Sequence, residues 1–327
     1  MAGAFSVAGV LLFVLSACAA FSAYDLVPPL ALDARLNYDF KGSTMVSRNY
    51  VKLTGSDRDQ RGHIVSNAQG LLPENFEVTM EFQVGGGGRN MYGDGMVLWL
   101  LENEPQSGGM FGLSEYYNGL AVAIDTYRNG PGGRVFPRMV IMKNDGTHPY
   151  DKDHDGNQNE IGGCSMRGLH DNRRQDYSSV RVSYSKPKQM MTVEVNFRNG
   201  WEMCDFEHID LGPLTRIAVS AATGELVEKH VVKELRLEDY GAQVPPSVAA
   251  KLQDRLERTQ RNSDGARTNK KQRGSSRPSA VGRFFRFVGR TLWLLFKIAI
   301  CAFVAFKAYQ YVQKYRQQRE DNKYKLS

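Results

Sequence analysis

Gly119-Leu-Ala-Val-Ala-Ile-Asp-Thr-Tyr-Arg-Asn129 runs five apolar residues straight into oxygen-bearing side chains. The run Leu120 to Ile124 fits a buried β-strand. Positions two apart in an extended chain face the same way, so Asp125 and Asn129 can point at one spot. The Tyr127 carbonyl can turn in as the chain bends at Gly130-Pro131. Carboxylate, carbonyl and amide oxygens together suit a hard cation such as calcium, which takes six to eight such ligands. Strands also end in Asp and Asn for turn reasons, so the rest of the chain has to decide.

The flanking sequence reads as β throughout from Tyr24 to Gln243. Phe76 to Phe82 and Met191 to Phe197 alternate strictly between apolar and polar residues, the period of a half-buried strand. Further strands are expected at Met96 to Leu101, Leu120 to Tyr127, Val135 to Met142, Val180 to Tyr184, Ile217 to Ala221 and Val231 to Leu237. Glycine-rich loops such as Gly85 to Gly88 separate them, and helical periodicity is almost absent. Regular strands with turn signals imply an all-β sandwich or barrel. About 220 residues exceeds an immunoglobulin-like unit of about 100, so a many-stranded jelly-roll sandwich is the expectation.

Attachments flank this body. Phe5 to Leu15 is an apolar core followed by small residues, which reads as a signal peptide over residues 1–23, cleaved between Ala19 and Ala23. The core is short for a span of about 20 residues, which argues against an uncleaved anchor. After Pro245-Pro246 a short helix is expected at Val248 to Arg261, then a flexible basic stretch, and residues 246–290 read as a stalk. Thr291 to Val312 is apolar apart from Lys297 and Lys307. At about 1.5 Å per residue it can cross a bilayer, with both lysines snorkelling to the interfaces. A basic helix lying on the membrane surface is the weaker reading. The tail 313–327 ends with Lys323 and Lys325, three and five places from the C-terminus, a dilysine-like address for vesicle coat proteins.

The formal net charge of +7 is unevenly spread. From residue 249 onward there are nineteen Lys/Arg against five Asp/Glu, which leaves −7 for the preceding body. An acidic body argues against nucleic-acid binding, which places positive charge on the fold itself. Of the four cysteines, Cys18 lies in the leader and Cys301 in the apolar C-terminal segment. Cys164 and Cys204 remain, and an even pair in a secretory domain is by default a disulfide. Two free thiols fit an oxidising lumen less well.

Four places in the body invite chemistry. Tyr92-Gly93-Asp94-Gly95 offers a carboxylate after a glycine-rich loop, or simply a turn. Asp125, Tyr127 and Asn129 are the second. Tyr150 to Asn157 is the third: Asp151, Asp153, Asp155 and Gly156 imitate the opening of an EF-hand loop, but Gly162 stands where the bidentate Glu belongs. It is an acidic, calcium-prone loop and not an EF-hand. Ala222-Thr223-Gly224-Glu225-Leu226 is the fourth, either a tight turn or a place where backbone N–H groups approach a ligand.

Several motifs stand in a recognisable order: Tyr38 to Met45, Tyr50 to Thr54, Gly93-Asp94-Gly95, Gly119-Leu120-Ala121 and Asp125-Thr126-Tyr127. In these the chain resembles the leguminous-type (L-type) lectins of the early secretory pathway. It is most similar to the vesicular integral-membrane lectins, and it lacks the long coiled coil of the intermediate-compartment lectin. The resemblance covers Leu36 to Gly241, the apolar segment and the tail. It implies a legume-lectin β-sandwich in residues 24–245 that binds high-mannose N-glycans on cargo glycoproteins with calcium. It implies calcium ligands at Asp125, the Tyr127 carbonyl, Asn129 and Asp155. Sugar contacts are implied at Asp94, Tyr127 and Asn129, at Gly224, Glu225 and Leu226 beside them, and at the positions of Lys152 and Asp59, and the Cys164–Cys204 pair matches the family disulfide.

Two positions depart from the family. Lys152 stands where the family has a sugar-contacting His, with His154 two places on, and Asp59 replaces a Ser near the sugar. The resemblance further implies a type I membrane protein of the endoplasmic reticulum, intermediate compartment or Golgi, with a lumenal lectin domain. An enzyme is not expected, since glycoside hydrolases need two carboxylates about 5 to 9.5 Å apart across the bond and no such pair is legible. A sugar-independent adaptor on the same fold is the alternative. The lysine spacing generates a test: replacing Lys323 and Lys325 together by Ala moves the protein outward, toward late Golgi or plasma membrane. An unchanged distribution by imaging reduces the tail to a basic juxtamembrane segment.

Overall fold

The structure, a computed structural model, describes residues 23–30, 36–86, 91–131, 133–170, 177–197 and 200–273. The expected signal peptide up to residue 22, the apolar C-terminal segment and the tail with Lys323 and Lys325 lie outside these residues. Among the described residues no helix is long and apolar enough to cross a membrane. The chain divides into two units at Asp254, and the fifteen strands among the described residues all belong to the first.

The strands build two antiparallel seven-stranded sheets. The first contains, in spatial order, β1 (Tyr38–Gly42), β4 (Arg61–Ser66), β14 (Arg216–Ala222), β6 (Gly95–Leu101), β8 (Asn118–Asp125), β9 (Arg138–Asp145) and β10 (Glu160–Ser165). The second runs β13 (Glu202–His208), β12 (Met190–Asn196), β11 (Ser178–Ser185), β5 (Asn75–Gly85), β15 (Lys229–Asp239), β3 (Val51–Thr54) and β2 (Met45–Val46). A short β7 (Ser107–Met110) stands outside both. The expected all-β sandwich is the observed one.

Alternation decides which face each strand buries. Along β5, Phe76, Val78, Met80, Phe82 and Val84 point into the space between the sheets, and the intervening residues are half-buried. β6 and β8 have no exposed face. Met96, Leu98, Leu100, Leu120, Val122 and Ile124 enter the main core. Val97, Trp99, Leu101, Ala121 and Ala123 enter a second core on the other side. Phe111, Tyr117 and Tyr150 complete that second core, so it docks the loop carrying Tyr150 to the back of β6 and β8. Trp99 fills its centre, with Nε1 donating to Ser220 Oγ at 2.9 Å and Tyr117 edge-on at 5.0 Å. Truncating such a residue costs about 3–5 kcal/mol.

Several expected boundaries shift for identifiable reasons. β8 ends at Asp125 rather than Tyr127, because Asp125 Oδ1 accepts from the Tyr127 N–H at 3.1 Å and turns the chain. β9 starts at Arg138 and not Val135, since Pro137 has no N–H for a ladder. The helix α1 (Pro246–Arg273) outruns its expected end at Arg261 and takes in twelve residues assigned to the flexible stretch. Gln, Lys, Arg and Ala propagate a helix well, and no proline intervenes before Pro278. At its start Ala249 N–H donates to Pro245 O at 2.9 Å and Val248 is fully buried.

Cys164 on β10 and Cys204 on β13 form a disulfide with Cα atoms 5.2 Å apart. β10 and β13 are edge strands of opposite sheets, so the bond staples the sandwich along one side. It closes a loop of 40 residues, worth roughly 4 kcal/mol on the chain-entropy model. Replacing both cysteines by Ser is expected to lower the unfolding free energy by about that amount in a denaturant titration. A change below about 1 kcal/mol contradicts the staple.

Candidate functional site

Five loops meet at one end of the first sheet. β14, β6 and β8 are neighbours there, with Gly95 opposite both Ala222 and Asp125. Asp94 extends the ladder by one step on each side: its N–H donates to Ala222 O and its carbonyl accepts from Thr126 N–H, both at 3.1 Å. The Gly93–Asp94 peptide is cis. Two glycines let the loops close on one another. A Cβ on Gly224 would lie 3.3 Å from Asp94 Oδ2, and one on Gly93 would lie 3.1 Å from Tyr127 Cβ and 3.4 Å from Leu226 Cδ1. Asp94, Tyr127, Gly224 and Leu226 therefore share one wall, with Glu225 exposed between the last two. Asp59, exposed and left-handed in φ, is tied in by its N–H to Gly224 O at 3.2 Å.

Lys152 comes from the loop between β9 and β10 and sets Nζ 3.9 Å from Asp94 Oδ2. Burial raises the Asp94 pKa above its usual value, and Lys152 opposes that rise. His154 Nδ1 lies 2.6 Å from Asp151 Oδ2. Lys152–His154 form a single helical turn capped by Asp151, whose Oδ1 accepts from Asp153 N–H at 3.0 Å. Asp155 then takes a left-handed φ of 53° and Gly156 one of 69°. A Cβ on Gly156 would strike Met142 Sδ at 2.5 Å and the Tyr150 ring at 2.6 Å, which explains the Asp-Gly pair.

This turn carries Asp155 under the loop after β8. Its Oδ1 accepts from Asn129 N–H at 2.8 Å and its Oδ2 from Gly130 N–H at 3.2 Å. Asp125 and Asp155 are both buried, and burial followed by the Asp155 carboxylate pushes the Asp125 pKa well above the carboxylate range. Asn129 is exposed beside them. Among the described residues no group of three or more His, Cys, Asp and Glu side chains is placed to hold a metal ion. What the loops provide is two crowded carboxylates, an amide and the carbonyls of the chain between them. That donor set fits a hard cation, which would cancel the repulsion between the two anions.

The loop is braced by residues that the sequence reading did not single out. Arg134 Nη2 donates to Asn157 Oδ1 at 2.7 Å, and Arg134 and Arg138 both pair with Glu160, at 2.5 and 2.7 Å. These charges span 27 positions and form no pattern in the sequence; only the β9–β10 pairing brings them together.

Fold and loop cluster together define a β-sandwich lectin domain. The sequence model of the legume-like lectin family matches residues 20–243, and the chain belongs to that family. It is 32% identical over 202 residues to an L-type lectin-like domain-containing protein of Schizosaccharomyces pombe, covering 61% of this chain and 64% of that one. It is 33% identical over 204 residues to the human vesicular integral-membrane protein VIP36, covering 61% and 56%. The alignment thus spans less than two thirds of these relatives. Among solved structures, the VIP36 exoplasmic/lumenal domain in its Ca2+/Man3GlcNAc-bound form superposes with a TM-score of 0.61 at 29% identity, covering 69% of this chain and 92% of that one. Its metal-free form gives 0.62 at 29% identity, covering 68% and 93%.

The raised Asp125 pKa has a testable sign. The folded chain holds this proton more tightly than the unfolded chain, so the stability it contributes is full below about pH 3.9 and is lost as pH rises through the folded value. In chelator, Asp125→Asn is therefore expected to raise the melting temperature at pH 7 and to leave it unchanged at pH 3.5. Equal melting temperatures at pH 7 would remove the electrostatic conflict from the account.

Proposed function

We propose that this chain is a calcium-dependent lectin for mannose-type N-glycans, acting as a receptor for glycoprotein cargo between endoplasmic reticulum and Golgi. The observation that carries the reading is the pair of buried carboxylates, Asp125 and Asp155, against the Asn129 loop and beside Asp94. Asp125, the Tyr127 carbonyl, Asn129 and Asp155 would hold the ion. Calcium supplies the positive charge that fixes the Asn129 loop. Asp94 accepts sugar hydroxyls, Asn129 offers donor and acceptor, and the backbone of Gly224, Glu225 and Leu226 closes the far side. A sugar presents vicinal hydroxyls that both donate and accept, so rigidly held groups of these kinds read its stereochemistry. Lys152 adds a donor next to Asp94, and Asp59 lies at the rim behind Gly224. The likeness to VIP36 domains with calcium and mannose bound supports the ligand class.

At the level of the whole chain, the signal peptide, the apolar segment 291–312 and the tail lysines support a type I membrane protein with coat proteins as cytosolic partners. One observation favours a second reading. Lys152 faces the carboxylate that a sugar would need, which suits an adaptor that keeps the fold without the sugar. A glycan array with and without calcium separates the two. Calcium is expected to raise the melting temperature of the wild-type protein, by about 2.7 kcal/mol of stability at a hundredfold excess over its dissociation constant. Asp125→Ala should abolish both that shift and mannoside binding. A blank array with a normal calcium shift favours the adaptor, and no shift at all removes the ion site.

A further inference from the structure

Glu228 is a fully buried carboxylate that the ligand set above does not use. It sits between the Thr223–Leu226 loop and β15. Thr126 Oγ1 donates to its Oε2 at 2.5 Å, His230 Nε2 lies 3.0 Å from the same oxygen, and His170 Nε2 contacts Oε1. Burial pushes the Glu228 pKa up, but the hydrogen bonds and charges of His170 and His230 hold it down at about 2, so the group is an anion at neutral pH.

Thr54 Oγ1 donates to the Glu228 carbonyl at 2.8 Å and lies 2.7 Å from His230 Nδ1, so it ties the Glu228 backbone to the ring that the Glu228 carboxylate also engages.

The outward links matter for the site. Thr126 follows Asp125 directly. The His170 ring stacks on Tyr92 with centroids 3.9 Å apart and planes 8° apart, and Tyr92 stands two residues before Asp94. One anion thus grips the base of the Asp125–Asn129 loop through Thr126 and the base of the Gly93–Asp94 loop through His170 and Tyr92.

We propose that Glu228 is the positioning residue of the ligand site, a buried anion that fixes the Asp94 loop and the Asp125–Asn129 loop relative to each other. Its effect on sugar binding rests on the lectin reading above; its effect on loop order does not. A bond to an ionised acceptor is stronger and more directional than one between neutral groups, so losing it loosens the loop rather than shifting it rigidly.

The test uses the full-length protein. Thr126→Val keeps the side-chain shape and deletes the hydroxyl; Thr126→Ser keeps the hydroxyl. Thr126→Val is expected to lower the melting temperature, since it strips a hydrogen bond from a buried anion, to speed hydrogen exchange at the Tyr127 and Asn129 amides, and to weaken mannoside binding in calcium about tenfold. Thr126→Ser is expected to restore exchange and affinity. If Thr126→Val does not fold, His170→Phe keeps a ring against Tyr92 and deletes the nitrogen, and the same two changes are expected. Wild-type exchange and affinity in these variants would overturn the proposal. So would a loss of affinity that follows melting temperature in step and is not rescued by Ser. If the wild-type protein binds no mannoside, the lectin reading fails, and the exchange comparison alone decides the positioning role.

Discussion

β6 and β8 are buried on both faces, and the geometry of the loop end depends on that constraint. A sheet covered only by its partner would leave one side of these strands to water. Here Trp99, Phe111, Tyr117 and Tyr150 build a second apolar layer, which brings the chain from Tyr150 to Gly156 behind β8 and up to its end. Tyr150 is the hinge of the matter. Its ring belongs to that layer, and its own successors, Asp151 to Asp155, emerge beside Asp125. Burial of apolar surface at about 25 cal/mol per Å2 thereby holds two carboxylates together that would separate if free.

The acidic end of the site is then a balance between braces and repulsion. Asp155 satisfies two backbone N–H groups, and Arg134 and Arg138 lock Glu160 beneath the same loop. Breaking such a partly buried pair by removing one partner leaves an unpaired charge, which is costly. Asp125 has no comparable relief in its own hydrogen bonds, since only the Tyr127 N–H lowers its pKa against burial and three neighbouring carboxylates. The loops are held in shape while one of their charges stays unfavourable. Hydrogen-bonded order and electrostatic strain occupy the same few residues.

The parts legible in the sequence are those with short-range signatures. β5 and β12 alternate, β6 and β8 are unbroken apolar runs, and glycine breaks separate them. β10 and β13 escaped because they are edge strands of mixed glycine and charge, half-buried and stapled by a disulfide rather than by an apolar face. Asp94, Lys152 and Gly224 stood out as loop residues, but their meeting depends on which strands are neighbours, and strand order is not local information. The Glu228 network was invisible for the same reason. Thr54 and His230 are 176 residues apart, and a lone Glu before a strand carries no pattern.

The two sides of the site answer to different forces, and this bears on how a ligand would be held. On the Asp94 side, carboxylate, glycine backbone and ladder hydrogen bonds are in place with only Lys152 to displace or recruit; its side chain is 57% exposed, so moving it is inexpensive. On the Asp125 side, repulsion is already present before any ligand arrives. A ligand that finds its partners preorganised avoids much of the ordering cost of binding. A cation that also removes an existing repulsion gains the energy that folding spent to create it. The two contributions are coupled through Thr126, which lies next to Asp125 in sequence, donates its backbone N–H to the Asp94 carbonyl and hangs its hydroxyl on Glu228. Any motion that frees Asp125 from Asp155 must pull on that hydroxyl, and so on the buried anion that also supports Tyr92 and Asp94.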